Sequence, residues 1–369
     1  MKTNHELAGI EVLRFLCAFG VLIWHYQHFF FVGEWNPVQG QILRPTLPLY
    51  HWLFLFYDNG SLAVPVFWVI SGFIFYWHYS DAIRDGRVLF GEFLLRRFSR
   101  LYPLHFVTLI FVAIGQHAYS ASHKTAYIYI WNKAIWFASQ LIFASNWFDR
   151  EPESFNGPIW SVSIEILIYL LFFLISRTVR PGVLSGVFMA AVFAACIGLP
   201  HTFMNPQVFA CGLYFFAGGV AQRLTRYRYA LPVSICTAAA TLGALSLGLH
   251  AVDVVSVLLL AGSSVIVFVK LGATVVGIPF RSLGFLGNST YSSYLLHFPI
   301  QLALVILVDA IGWKRDIFYN PGVFIGFMTL TIGLSLLAHR YFEVPSQRAI
   351  RSGVRHYLER VSQPGPLLK

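Results

Sequence analysis

The sequence predicts an all-α polytopic membrane protein with about ten transmembrane helices. Apolar runs of roughly 17–25 residues recur almost from end to end, the length a helix needs to cross a bilayer. The 369 residues are 57% hydrophobic and only 11% charged, against about 25% charged in soluble domains. The ten-residue alternation that marks a membrane β-barrel is not seen.

Taken in order, spans are expected at 10–30, 60–80, 101–120, 158–176, 183–199, 207–224, 231–249, 251–271, 289–311 and 321–341. Glu6, Glu11 and Arg14 interrupt the approach to the first span, and no small-x-small cleavage site follows it. That span is therefore expected to be retained rather than removed as a signal peptide. Two shorter apolar stretches, 49–57 and 134–148, are too short to cross and are expected to be interfacial or re-entrant. Residues 1–345 then form one transmembrane domain, with 346–369 a basic cytoplasmic tail too short for a second fold. Its Pro364-Gly365-Pro366 run reads as disordered. No internal repeat or low-complexity tract is seen.

The net charge of +10 would suggest nucleic acid in a soluble protein. Here the cations sit in short loops, and membrane sorting accounts for most of them. The loops after the second, fourth, sixth and eighth spans, with the tail, hold seventeen Lys and Arg residues, Arg281 and Lys369 among them. The alternate loops hold six: Arg44, Lys124, Lys133, Arg150, Lys314 and Arg315. This bias places both termini in the cytoplasm and implies an even number of spans. Cys17, Cys196, Cys211 and Cys236 lie in apolar runs without CxxC spacing, so they read as small core residues.

Ionisable residues inside spans are costly and mark candidate sites. The first span holds Arg14 and His25, eleven residues apart. Eleven residues is three turns plus about 20°, so both side chains leave one face, about 16 Å apart along the axis. Two readings stay open. Arg14 snorkels and His25 is a satisfied core residue, or the two form part of a site. His28 follows His25 at i+3, but without a carboxylate or cysteine at ligand spacing no metal is expected.

In the second span, Gly72 beside Ser71 permits close approach of a helix or a ligand. Before the third, Arg96, Arg97 and Arg100 form a cationic cluster that a phosphate-bearing ligand could meet, or that membrane sorting alone explains. The fourth opens with Pro158 at a helix start and Trp160 at the interface. Glu165 follows at a depth like that of His25, where it could orient the imidazole or bridge helices. The ninth carries Ser289, Tyr294 and His297, and the last leaves through Glu343 and Pro345.

Together these segments resemble the acyltransferase 3 family of bacterial integral-membrane acyltransferases. The resemblance rests on the Arg14-x10-His25 spacing, Phe67-Trp-Val-Ile-Ser-Gly-Phe73, and Arg96-Arg97-x2-Arg100-x2-Pro103. Trp160-Ser-x3-Glu165, Tyr291-Ser-Ser-Tyr-Leu-Leu-His297 and Phe342-Glu-x-Pro345 continue it in family order over nearly the whole chain. It implies transfer of an acyl group, usually acetyl, from a coenzyme A thioester to a hydroxyl of a carbohydrate or other acceptor in the cell inner membrane, with no bound cofactor. It makes His25 the essential histidine, Arg14 its basic partner, and Arg96, Arg97 and Arg100 a donor-binding element. The chain resembles the stand-alone members that lack an extracytoplasmic hydrolase-like domain.

The charge bias agrees with that chemistry, because coenzyme A is cytoplasmic and polyanionic. An imidazole near pKa 6.5 suits deprotonation of a hydroxyl, with Glu165 an expected orienting partner. Ser71, Trp160, Tyr294 and His297 are further candidates. Acyl-CoA, a glycan or glycolipid acceptor and the bilayer are the expected partners. A transporter or flippase that makes no bond is the rival reading, although inverted repeats are typical there. A non-catalytic scaffold is the other.

Overall fold

A computed structural model describes residues 5–199, 203–246, 253–273 and 284–362, and every regular element among them is helical apart from two isolated β-bridges, Glu34–Ile128 and Phe148–Met204. With no water in the hydrocarbon core, a helix satisfies its backbone groups internally, which is why the apolar runs take this form. Arg281, Lys369 and the Pro364-Gly365-Pro366 run lie outside the described residues.

Helix α1 (His5–His25) runs into a 3₁₀ segment at Tyr26–Phe30. Helix α2 (Pro37–Leu43) is short; its Asn36 cap accepts from the backbone N–H groups of Val38 and Gln39. Helices α3 (Tyr50–Asn59) and α4 (Ala63–Phe75) join through the 3₁₀ turn Gly60–Leu62 and continue as a π-helical segment, Tyr76–Ser80, into α5 (Asp81–Arg84). Helix α6 (Phe90–His123) follows, then the short α7 (Ala134–Leu141). Helices α8 (Ile159–Thr178), α9 (Val183–Ile197), α10 (Pro206–Leu224), α11 (Ala230–Ser246) and α12 (Val254–Gly272) come next. The chain closes with α13 (Thr290–Ala310), α14 (Pro321–Ala338), a second π segment at His339–Glu343, and α15 (Val344–Ser362).

The protein is an all-α, multi-pass membrane protein. Among the described residues, seven helical stretches are long and apolar enough to cross: Leu7–Phe30, Tyr50–Arg84, Phe90–His123, Ile159–Thr178, Val254–Gly272, Thr290–Ala310 and Pro321–Tyr357. Each of the ten expected spans coincides with a helix. Three of them, α9, α10 and α11, fall outside those seven. Helices α9 and α11 have 15 and 17 residues, and α10 carries Gln207, Gln222 and Arg223.

The 49–57 stretch is not a separate interfacial piece. Asp58, Asn59 and Gly60 interrupt the hydropathy, but the 3₁₀ turn carries the helix through them. Of the 134–148 stretch, only Ala134–Leu141 is helical. The tail is not free either. Helix α15 packs on α6, where Arg351 donates to the Ser99 hydroxyl (3.0 Å) and the Arg96 carbonyl (3.2 Å).

Bilayer hydrocarbon is as apolar as leucine, so helices associate through close packing rather than burial from water. Helices α4 and α10 cross on glycine. A Cβ on Gly72 would sit 1.8 Å from the Phe215 carbonyl oxygen, and one on Gly218 would sit 2.0 Å from that of Val69. One core joins these helices to α8 and α12. A second joins the end of α1 to α6, α13 and α14. A smaller third, with Leu104, Ile159, Tyr294 and Leu295, lies between them.

Candidate active site

The starts of α1, α6 and α13 meet the ends of α4 and α14 at one end of the bundle. Glu11 and Arg14 come from α1, Arg96, Arg97 and Arg100 from α6, and Asn288 from the turn before α13. The two π segments supply His78 and Tyr79 on one side, His339 and Glu343 on the other. A π segment offsets the helix face by a residue and is frequent at functional sites. Together these residues enclose an open cavity of about 430 Å³. Three of the four sequence-predicted arginines here have fixed settings. Arg14 pairs with Glu11 at 2.9 Å and Arg96 with Glu92. Arg97 donates to the Tyr79 hydroxyl at 2.6 Å, and its guanidinium lies over the rings of Phe75 and Tyr79.

A second cavity, of about 110 Å³, lies deeper. It shares Arg14, Ile74, Arg97 and Arg100 with the first, so those side chains form the neck between the two. Ser71, Phe67 and Trp68 of α4, Ser161 and Glu165 of α8, and Tyr291 and Tyr294 of α13 line it further in. Ser161 and Tyr294 bond through their hydroxyls at 2.7 Å, and Tyr291 donates to the Leu101 carbonyl at 2.6 Å.

Next to Tyr294, outside the lining of both cavities, stands a histidine cluster. The rings of Tyr294 and His297 are 6.0 Å apart, those of His297 and His25 4.7 Å, and those of His25 and His28 4.9 Å. His25 Nδ1 lies 2.8 Å from the Val21 carbonyl one turn back. A carbonyl only accepts, so Nδ1 carries the proton and Nε2 the lone pair. His297 Nδ1 makes the same kind of bond to the Ser293 carbonyl at 3.3 Å, and its buried Nε2 has no partner. The α-helix ends at His25, and Gln301 of α13 donates to the freed His25 carbonyl at 2.8 Å. Gln301 is fully buried.

The sequence-predicted residues thus fall into two groups along one path. Arg14, Arg97 and Arg100, Ser71, Glu165 and Tyr294 line the cavities, while His25 and His297 stand past Tyr294. Glu165 faces Ser71 and Tyr169 and lies in the field of Arg14 and Arg100. The group that fixes the His25 ring is the Val21 carbonyl, and no hydrogen bond joins Glu165 to His25 among the described residues. Trp160 packs edge-on against Trp68 at 5.9 Å, outside the cavity lining. Gly72 meets a helix rather than a cavity. Sequence reasoning passed over Gln301 and Tyr169. Gln301 had a usable signal, because it follows His297 at i+4 and shares its face. Among the described residues, no group of three or more His, Cys, Asp or Glu side chains is arranged to hold a metal.

Arginine-lined cavities inside a membrane bundle, with a histidine cluster packed against Tyr294 of the deeper one, form the candidate active site of a membrane acyltransferase. Residues 7–340 match the acyltransferase 3 family, described as an acyltransferase domain, and the chain belongs to that family. It is 36% identical over 126 residues to acyltransferase MdmB of Streptomyces mycarofaciens, covering 33% of this chain and 30% of that protein. It is 40% identical over 55 residues to Protein 2 in picA locus of Rhizobium radiobacter, covering 15% of this chain and 29% of that protein. The chain thus spans less than a third of the length of these curated relatives. No solved structure matches.

Proposed function

We propose that this enzyme moves an acyl group, acetyl in the first instance, from a coenzyme A thioester to a hydroxyl of a cell-surface or exported carbohydrate. The observation that carries the proposal is the pair of joined cavities: an arginine-lined one shares Arg14, Arg97 and Arg100 with a deeper one lined by Tyr294, whose ring lies 6.0 Å from that of His297, itself 4.7 Å from that of His25. The loop charge bias puts the arginine end in the cytoplasm of an inner-membrane protein, with both termini on that side. Coenzyme A carries its phosphates there. Arg96, Arg97, Arg100 and Arg14 hold them, since guanidinium is the side chain best matched to phosphate. The pantetheine arm passes the neck and brings the thioester toward His25.

The acceptor hydroxyl meets His25 from the opposite end. Nε2 takes its proton as the oxygen attacks the thioester carbonyl. The carbon–sulfur bond breaks, the thiolate leaves, and the imidazolium returns the proton to it. The products are the ester and free coenzyme A, and no metal or redox partner is needed for the balance. The Tyr294 hydroxyl, held by Ser161, borders the route to the histidines and can donate to the developing oxyanion. Glu165 counters the charge of Arg14 and Arg100 while no donor is bound.

The test uses purified protein in nanodiscs with acetyl-CoA and a polysaccharide acceptor. Thiol release matched by ester formation is expected. His25→Ala should lower it by about 10²-fold or more with the protein still monodisperse. Acceptor movement without thiol release would instead indicate a transporter, and full activity in His25→Ala would sink the mechanism.

A further inference from the structure

The bundle end opposite the arginines carries a cleft that the proposed reaction has not used. It is open, about 680 Å³, and lined by Gln116, His117, Lys124, Asn132, Lys133 and Phe155 among others. Its walls are fastened side chain to backbone. Gln116 donates to the Tyr127 carbonyl at 2.8 Å and accepts from the Tyr127 N–H at 2.9 Å. Asn132 donates to the Tyr129 carbonyl at 2.8 Å and accepts from the Phe155 N–H.

This segment is also where backbone strain gathers. Seven described non-glycine residues have positive φ, and six of them, Lys124, Ile128, Phe143, Asn146, Arg150 and Phe155, fall between 124 and 155. A β-branched residue such as Ile128 at φ 61° is a true outlier. Lys124 ends α6 in the left-handed conformation that usually goes to glycine. Strain of this kind persists where a site needs a fixed shape.

The cations of this end are the second observation. Six Lys and Arg residues belong to the arginine-poor loops. Arg315 is held by Asp309, Arg150 lies beside Asp149, and Arg44 is buried against Gln27. No carboxylate pairs with Lys124, Lys133 or Lys314 among the described residues. Two of those three line this one cleft, with His117 between them, and neither Glu151 nor Glu153 lines it. Sorting disfavours cations on this face, so two placed together call for an anion. The cleft is linked to the histidine cluster through the residue next to one of its walls. Ile130 in its wall follows Tyr129, whose ring is 6.3 Å from that of His28, the neighbour of His25.

We infer that the cleft binds the acceptor, and that the acceptor is an acidic glycan whose carboxylate or phosphate group pairs with Lys124 and Lys133. The inference rests on the carbohydrate reading above and specifies the acceptor's charge. Its test compares an oligosaccharide bearing uronic acids with the same oligosaccharide after carboxyl reduction.

With acetyl-CoA as donor, the uronate acceptor should show a kcat/KM about tenfold higher. Lys124→Gln combined with Lys133→Gln should bring the two acceptors to the same kcat/KM, with the loss falling on the KM of the uronate acceptor. A double variant that keeps the preference, or a wild type that has none, overturns the inference. So does a loss that follows the anionic lipid content of the nanodisc rather than the acceptor's charge, which would make the cleft a headgroup site. Direct binding of the two oligosaccharides, read by NMR, separates this from the reaction itself. Charge-selective binding lost in the double variant supports the cleft even without transfer, and equal binding of both sugars overturns it.

Discussion

At the scale of single residues, the role proposed for His25 depends on its setting as well as its identity. The Val21 carbonyl fixes the ring's tautomer, and the Gln301 amide holds the carbonyl of the same residue where the α-helix gives way to 3₁₀. Gln301→Leu removes that donor from a buried carbonyl, a loss of about 1–3 kcal/mol. A cost of this size at the reacting centre lowers kcat by about tenfold. The expected outcome is a fall in kcat with donor KM unchanged, partly recovered in Gln301→Asn. Steady-state kinetics on the nanodisc-embedded enzyme decides it. A change in KM alone would put Gln301 in donor binding instead.

At the scale of elements, the α4–α10 crossing sets the wall of the deeper cavity. Gly72 and Gly218 let the two backbones touch, which carries Ser71 to the face opposite Glu165. Gly218→Val would drive a side chain into the Val69 carbonyl and Phe73 amide, both backbone and unable to yield. Overpacking of this kind costs about 1–3 kcal/mol or more. The variant should lose its monodisperse peak in detergent at a lower temperature than wild type. Gly326→Ala, with open space around its Cβ, should not. Equal melting of the two would show that the crossing tolerates separation.

On the scale of the whole molecule, the proposed reaction path has two ends with different chemistry. The arginine end gathers helix termini from both halves of the sequence, and α15 folds back onto α6 beside it. The far end carries the strained loops after α6. In sealed membrane vesicles of known sidedness, a cysteine at Lys124 should react with an impermeant maleimide from the extracytoplasmic side only. A cysteine at exposed Arg355 should react from the cytoplasmic side only. Labelling of both from one side would overturn the placement of donor and acceptor in opposite compartments.

What the sequence determined by itself was local. Apolar length set the helices, because each span satisfies its own backbone and needs no partner to be recognised. The eleven-residue spacing put Arg14 and His25 on one face by helix geometry alone. The sequence could not show that Asp58, Asn59 and Gly60 are crossed by a continuing helix, because hydropathy registers polarity and not the 3₁₀ turn that bridges it. Nor could it show which side chains meet. Glu165 shares a depth with His25, yet depth does not fix azimuth, and packing turned the carboxylate toward Ser71, Tyr169 and the arginines. His297 and Gln301 reach His25 from more than 270 residues away in the chain. The tertiary structure decided that, because which faces of two helices touch depends on the small residues at their crossing and on every neighbour that fills the space around them.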